Sequence, residues 1–214
     1  MGKYILGCVG VAVLGLIALG IMFFVWGAGT YNHLVSLKQG VDAQWAEVQN
    51  QYQRRTDLIP NLVQTVSGAA NFEKSTLTAV TDARASVGQV KIDPSQAPSD
   101  PAKLQQFEQA QSSLGNALSR LLVVSENYPQ LKANQGFLDL QAQLEGTENR
   151  ITTARNHFNV AAQSYNTSIK TFPAVFFAGM FGFTERPYFQ AVQGSDVPPP
   201  VHFDFNTPTA APAH

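Results

Sequence analysis

The sequence predicts an all-α protein: an N-terminal transmembrane helix followed by an elongated antiparallel bundle of three to four long helices. Three observations carry this. Residues 4–26 form an apolar run without a single charge. Beyond it, apolar residues recur every three or four positions over long stretches, the signature of amphipathic helices. No segment sustains the period-two alternation of a half-buried strand.

The first element is the anchor. A bilayer core needs about 20 apolar residues as helix, and "YILGCVGVAVLGLIALGIMFFVW" exceeds that, with Tyr4 and Trp26 at its ends. Such aromatic residues favour the two membrane interfaces. A cleaved signal peptide usually has a shorter apolar region, about 7–15 residues, and "WGAGTYN" is a poor cleavage site. "ILGC" imitates a lipoprotein box, but too few residues precede Cys8 to form an apolar region. Lys3 lies on one flank, and the first cation on the other is Lys38. By the positive-inside rule this asymmetry keeps the N-terminus in the cytoplasm and faces the bundle outward, as a single-pass protein.

After "GAGT", read as a flexible linker, Thr30 is placed to cap a helix. Leu34, Leu37, Val41, Trp45, Val48 and Tyr52 then form one stripe. Pro60 removes a backbone donor, so the pattern predicts a kink or restart there. Leu58, Ile59, Leu62, Val63 and Val66 resume the apolar face. A weaker helix bearing Leu77, Val80, Ala83 and Val87 ends near Val90. "KIDPSQAPSDP", 91–101, is a loop by composition. A helix from about Ala102 to Asn127 carries Leu104, Phe107, Gln111, Leu114, Leu118 and Leu121. Pro129 suits the first turn of the next. That last long helix, about 130–170, would span roughly 60 Å at 1.5 Å per residue, and "TFP" at 171–173 stops it.

"PAVFFAGMFGFTERPYF", 173–189, is a second apolar cluster containing Phe176, Phe177, Phe181, Phe183, Tyr188 and Phe189. Gly179, Gly182 and Pro187 interrupt it, which argues against a second span. Two readings stand: a short helix docked on the bundle end, or an interface with membrane or partner. The domain plan is therefore anchor and linker at 1–29, bundle at 30–191, and a Pro-rich extended or disordered tail at 192–214.

Composition narrows the function. Of 14 Lys/Arg and 15 Asp/Glu, only Lys3 precedes residue 31, so the body is near charge balance and no basic footprint suggests nucleic acid. There is no GxGxxG, P-loop or HExxH motif, and one cysteine excludes CxxC chemistry. The four histidines lack metal-ligand spacing, so no cofactor or metal is expected. The notable polar residues interrupt apolar stripes. Glu148 and Arg155 sit on the last helix where apolar residues belong, and Arg55 continues the first stripe three positions after Tyr52, with Arg54 and Asp57 close by. Partly buried charges must be paired, so a cross-helix network among Arg54 or Arg55, Asp57, Glu148 and Arg155 is expected. It fits a register-fixing polar layer, a contact between subunits, or a ligand or catalytic site. An arginine near each carboxylate favours the unreactive ionised form, and no nucleophile–base set accompanies it.

Three blocks carry a family resemblance. "YNHLVSLKQGVDAQWAEVQNQYQRRTDLIPNLVQTV" resembles the N-terminal signature of the LemA family. "LEGTENRITTARNHFNVAAQSYNTSIKTFP" resembles its C-terminal helix, and "FFAGMFGFTERPYFQA" its closing segment. The likeness runs from Tyr31 to Ala191. It implies a single-pass bacterial membrane protein with a helical-bundle domain, without an established activity or cofactor. The motif positions are Arg54, Arg55, Asp57, Leu58, Ile59, Pro60 and Asn61, with Glu148, Asn149, Arg150, Arg155, Asn159, Tyr165 and Asn166. The expectation is a non-enzymatic membrane scaffold. Its partners would be the bilayer through residues 4–26, further copies in a homo-oligomer, and other membrane proteins. The alternative is an accessory sensor subunit that binds a ligand or peptide through the bundle. Self-assembly is also suggested because helices of unequal length would leave apolar stripes uncovered in one chain.

Overall fold

A computed structural model describes residues 2–69 and 72–190, with side chains at 10 and from 13 onward within them. The tail expected at 192–214 lies outside the described residues. The elements are α1 (Gly2–Ser67), α2 (Lys74–Gln89), α3 (Pro101–Ser125), the single turn α4 (Pro129–Lys132), α5 (Gln135–Lys170) and α6 (Ala174–Phe181). No strand occurs among the described residues.

α1 is one uninterrupted helix of 66 residues, roughly 100 Å long at 1.5 Å per residue. This corrects two expectations. "GAGT" is not a linker but part of the helix, and Thr30 does not cap it: its hydroxyl donates back to the Trp26 carbonyl at 3.0 Å. Of the kink or restart expected at Pro60, the restart does not occur: Pro60 stands inside the helix. It stands on the exposed face of α1, one position after the buried Ile59. The expected 130–170 helix is likewise divided. Asn134 intervenes and caps α5, its side chain accepting from the Phe137 N–H at 3.2 Å. Asp100 caps α3 in the same way through the Ala102 N–H, with Pro101 in the first turn.

The bundle runs up, down, up, down. α1 packs along α5, and α2 along α3. Side chains from Val13 to Trp26 are all exposed, whereas from Leu34 onward the α1 stripe is buried. An exposed apolar helix of this length is consistent with membrane anchoring. Inside the bundle two cores follow one another along the axis. The anchor-proximal core joins Leu34, Val41, Trp45, Val48 and Tyr52 to Phe107 of α3 and to Ile151, Phe158, Tyr165 and Ile169 of α5. The anchor-distal core joins Ile59, Leu62 and Val66 to Val80, Leu114, Leu118, Leu121, Phe137 and Leu144. The predicted stripes are thus largely covered within the chain. Among the described residues, the exposed large apolar side chains on α2–α5 are Val123, Leu138 and Val160, scattered singly. The argument for self-assembly from uncovered stripes therefore does not hold for the bundle.

Candidate functional site

The two cores meet at Arg55. The α1 stripe, spaced by three and four residues, delivers position 55 to the interior between Tyr52 and Ile59. Arg55 is 3% exposed. Its Nη1 donates to Glu148 Oε1 of α5 at 2.8 Å. Its Nη2 donates to the Gln111 side-chain oxygen of α3 at 2.5 Å and to the Gln111 carbonyl at 3.0 Å. The guanidinium also lies 5.1 Å from the Tyr52 ring centre, within cation–π range. Three helices are thus tied at one level. Arg55 Nε, buried, has no partner. Glu148 keeps 47% of its side chain in water, so only the arginine is fully desolvated.

The other expected members of this network stand elsewhere. Arg54 and Asp57 are exposed, and Asp57 accepts from Gln53 one turn back. Arg155 does not reach Glu148. Its Nη2 binds Glu108 Oε1 of α3 at 2.8 Å and the Gln190 carbonyl at 3.0 Å, and its guanidinium stacks 4.7 Å from the Phe189 ring centre. Burial pushes the Glu108 carboxyl above its ordinary value, against the opposing pull of Arg155 and of the Gln190 N–H. Burial also raises the Tyr52 phenol, overriding the pull of Arg155 and Arg55. His157 is exposed.

A third charged pair was not legible as such. Arg186 lies in the extended segment after α6 and is 7% exposed, as is Asp42 of α1. Arg186 Nη1 donates to the Ala97 carbonyl at 2.5 Å, and Nη2 lies 3.8 Å from Asp42 Oδ1. Asp42 in turn accepts the Ala97 N–H at 2.9 Å. The loop before α3 and the segment after α6 are therefore locked onto α1.

Two asparagines on α5 hold that last segment from the other side. Asn166 donates to the Arg186 carbonyl at 2.7 Å and accepts the Arg186 N–H at 2.8 Å. Asn159, two turns earlier, donates to the Phe189 carbonyl at 3.0 Å and accepts its N–H at 2.9 Å. Each side-chain amide mimics a strand partner and satisfies both backbone groups of one residue. Tyr165 adds a hydroxyl bond to the Thr184 carbonyl at 2.9 Å. The i, i+7 spacing of two asparagines within an apolar stripe was the signal for this clamp.

The aromatic cluster is divided. Phe177 and Phe189 are buried within the chain and Phe183 is half-buried, while Phe176, Phe181 and Tyr188 are exposed. Among the described residues, no three His, Cys, Asp or Glu side chains gather as metal ligands.

The model of the LemA family matches residues 44–203. Among curated relatives, magnetosome protein MamQ 2 of Paramagnetospirillum magneticum is 28% identical over 186 residues, covering 78% of this chain and 67% of the relative. MamQ of Magnetospirillum gryphiswaldense is 27% identical over 183 residues with the same coverage. Protein LemA of Metamycoplasma hominis is 25% identical over 157 residues, covering 73% of this chain and 67% of the relative. The Arg55 layer, the Arg155–Glu108 pair and both clamp asparagines all lie inside the matched stretch: the chain belongs to the LemA family.

Proposed function

We propose that this protein is a non-enzymatic, membrane-anchored scaffold, which assembles with further copies or organises partner membrane proteins on the periplasmic side of a bacterial inner membrane. One observation carries the reading. α1 continues without a break from its exposed apolar stretch into the core of the bundle, so the anchor and the rod are one rigid element. Such a geometry holds a helical surface at a fixed height and angle, which suits organising neighbours. The arginines support it too: buried Arg55 and Arg186 and half-buried Arg155 are each spent on interhelical or loop-fixing bonds. Light scattering coupled to size exclusion, on the full chain in mild detergent at micromolar concentration, is the test. An oligomer, or co-elution with partners crosslinked in native membranes, is expected. A strict monomer without crosslinked partners overturns the proposal. Protease protection in oriented vesicles checks the side.

A second reading, an accessory sensor subunit, is favoured by one feature. The water-facing side of Glu148 opens on a groove of about 400 Å³ lined also by Gly115, Leu118, Leu144 and Asn149. A ligand bound there would touch the layer that α1 connects to the anchor. Arg55→Ala separates the readings: a folded variant that has lost a partner supports the sensor, and loss of folding supports a structural layer.

A further inference from the structure

We infer that α6 lies in the membrane beside α1, as a second, half-immersed contact with the lipid leaflet nearest the bundle. The inference rests on α1 crossing the bilayer and goes beyond the scaffold reading.

α6, "AVFFAGMF", has no polar or charged side chain. Residues 171–184, which contain it, carry no charge at all. The charges resume in one exposed ion pair that closes the base of this excursion, Lys170 Nζ to Glu185 Oε2 at 2.7 Å. The segment therefore leaves the bundle at a charged boundary and returns to the same boundary; between them Thr171 and Thr184 stand at its two ends and residues 172–183 carry no polar side chain.

Its position along α1 fixes its depth. The Phe177 ring packs 5.3 Å from Phe23 and 5.8 Å from Trp26, centre to centre, and Phe181 packs 4.9 Å from Tyr31. Gly27 makes this seat: a Cβ there would stand 2.8 Å from Phe177 Cε1. Phe23 and Trp26 belong to the uncharged stretch 4–26. α6 thus overlaps the end of the span by about one turn, at the headgroup–acyl boundary where apolar helical faces bury some 5–10 Å.

The outward face carries Val175, Phe176 and Met180, with Phe172 just before it, exposed by 41, 68, 65 and 75%. This face is continuous with the exposed Phe23, Phe24 and Val25 of α1. The occupant that already surrounds those residues in the span is lipid. Between α1 and the start of α6 lies an open cavity of about 690 Å³; Met22, Val25, Pro173 and Ala174 line an apolar part that suits an acyl chain, and Thr30 and His33 line a polar part that suits the headgroup region.

The test uses the full chain with Cys8→Ser, reconstituted in phosphatidylcholine–phosphatidylglycerol vesicles. Nitroxide labels are placed singly at Phe176→Cys and Met180→Cys, with Phe24→Cys as span reference and Val160→Cys as water reference. Collision rates with oxygen and with a water-soluble nickel chelate are compared. The expected result is oxygen dominance at 176 and 180, approaching that at 24 and opposite to that at 160. Labels at 176 and 180 that match 160 overturn the inference. So do labels shielded from both reagents with spin–spin broadening, since a second copy would then cover the face. A water-like label at 24 overturns the spanning α1 itself, and α6 in the leaflet with it.

Discussion

The two cores of this bundle are built differently. The buried anchor-distal core is aliphatic, made of Leu, Ile and Val from α1 to α5 with Phe137. The anchor-proximal core is aromatic and wired with polar bonds. Trp45 sits among Phe107, Phe158 and Phe189, and its indole N–H donates to the Asp93 carbonyl at 3.1 Å. Asp42, Arg186, Asn159, Asn166 and Tyr165 then fix two irregular segments onto it. Aliphatic packing tolerates exchange of one apolar residue for another of similar volume. A wired core does not, because removing a partner at Asp42, Asn166 or Arg186 strands a buried donor or acceptor. The contrast teaches where uniqueness is specified: in the half next to the anchor, with the Arg55 layer marking the border.

The comparison can be broken most forcefully at Trp45. Trp45→Ala opens a cavity at a fully buried position and removes the bond to the Asp93 carbonyl, so a loss of about 3–5 kcal/mol is expected from urea unfolding. Leu118→Ala in the distal core should cost less, about 2–3 kcal/mol, and Leu118→Met under about 1.5 kcal/mol. A distal loss larger than the Trp45 loss would reverse the ranking.

Next comes the clamp. Asn166→Ala leaves the Arg186 N–H and carbonyl without partners, which should cost about 2–3 kcal/mol. It should also speed amide exchange in 183–190 while leaving 137–144 unchanged. Equal exchange in both regions would mean the asparagines do not hold the segment.

Arg55→Ala should cost about 1–3 kcal/mol, below the usual cost of breaking a buried pair, because Glu148 can rehydrate at its exposed side. Arg55→Met with Gln111→Leu fills the layer with apolar matter and should recover most of that loss. Failure to recover would show the layer does more than fix the cores in register.

The smallest effect concerns pH. Burial raises the Glu108 carboxyl in the folded state, so its stabilising contribution is complete below the ordinary glutamate value of 4.5 and is lost as pH rises through the raised folded value. Glu108→Gln should remove that slope. The wild-type-minus-variant stability should therefore fall from acid toward neutral pH, and a rise would contradict the assignment.

Much of this was written in the sequence. The spacing of Leu34 through Tyr52 and of Leu104 through Leu121 identified buried faces, because helical period is a local property. Arg55 and Glu148 were legible as partners because each broke a stripe. Arg155 was placed in the same cross-helix network for the same reason, yet it lies two turns from Glu148, roughly 10 Å along the axis, and Asp57 faces water. The partner of Arg155 had to come from another helix, and Glu108 had no distinguishing mark. The Asp42–Arg186 pair was invisible because nothing local sets the register of an extended segment against a helix. "GAGT" misled because its glycines suggest flexibility. Gly27 instead makes room for a ring from 150 residues further along, and no local rule reports that.

Amide hydrogen exchange on the full chain in lipid nanodiscs tests the two-core account most directly. Slower exchange is predicted across 151–169 and the clamped 183–190 than across α2 and 137–144, with the change falling near Arg55 and Glu148. Uniform protection along the rod, or a distal half that outlasts the proximal one, would contradict it.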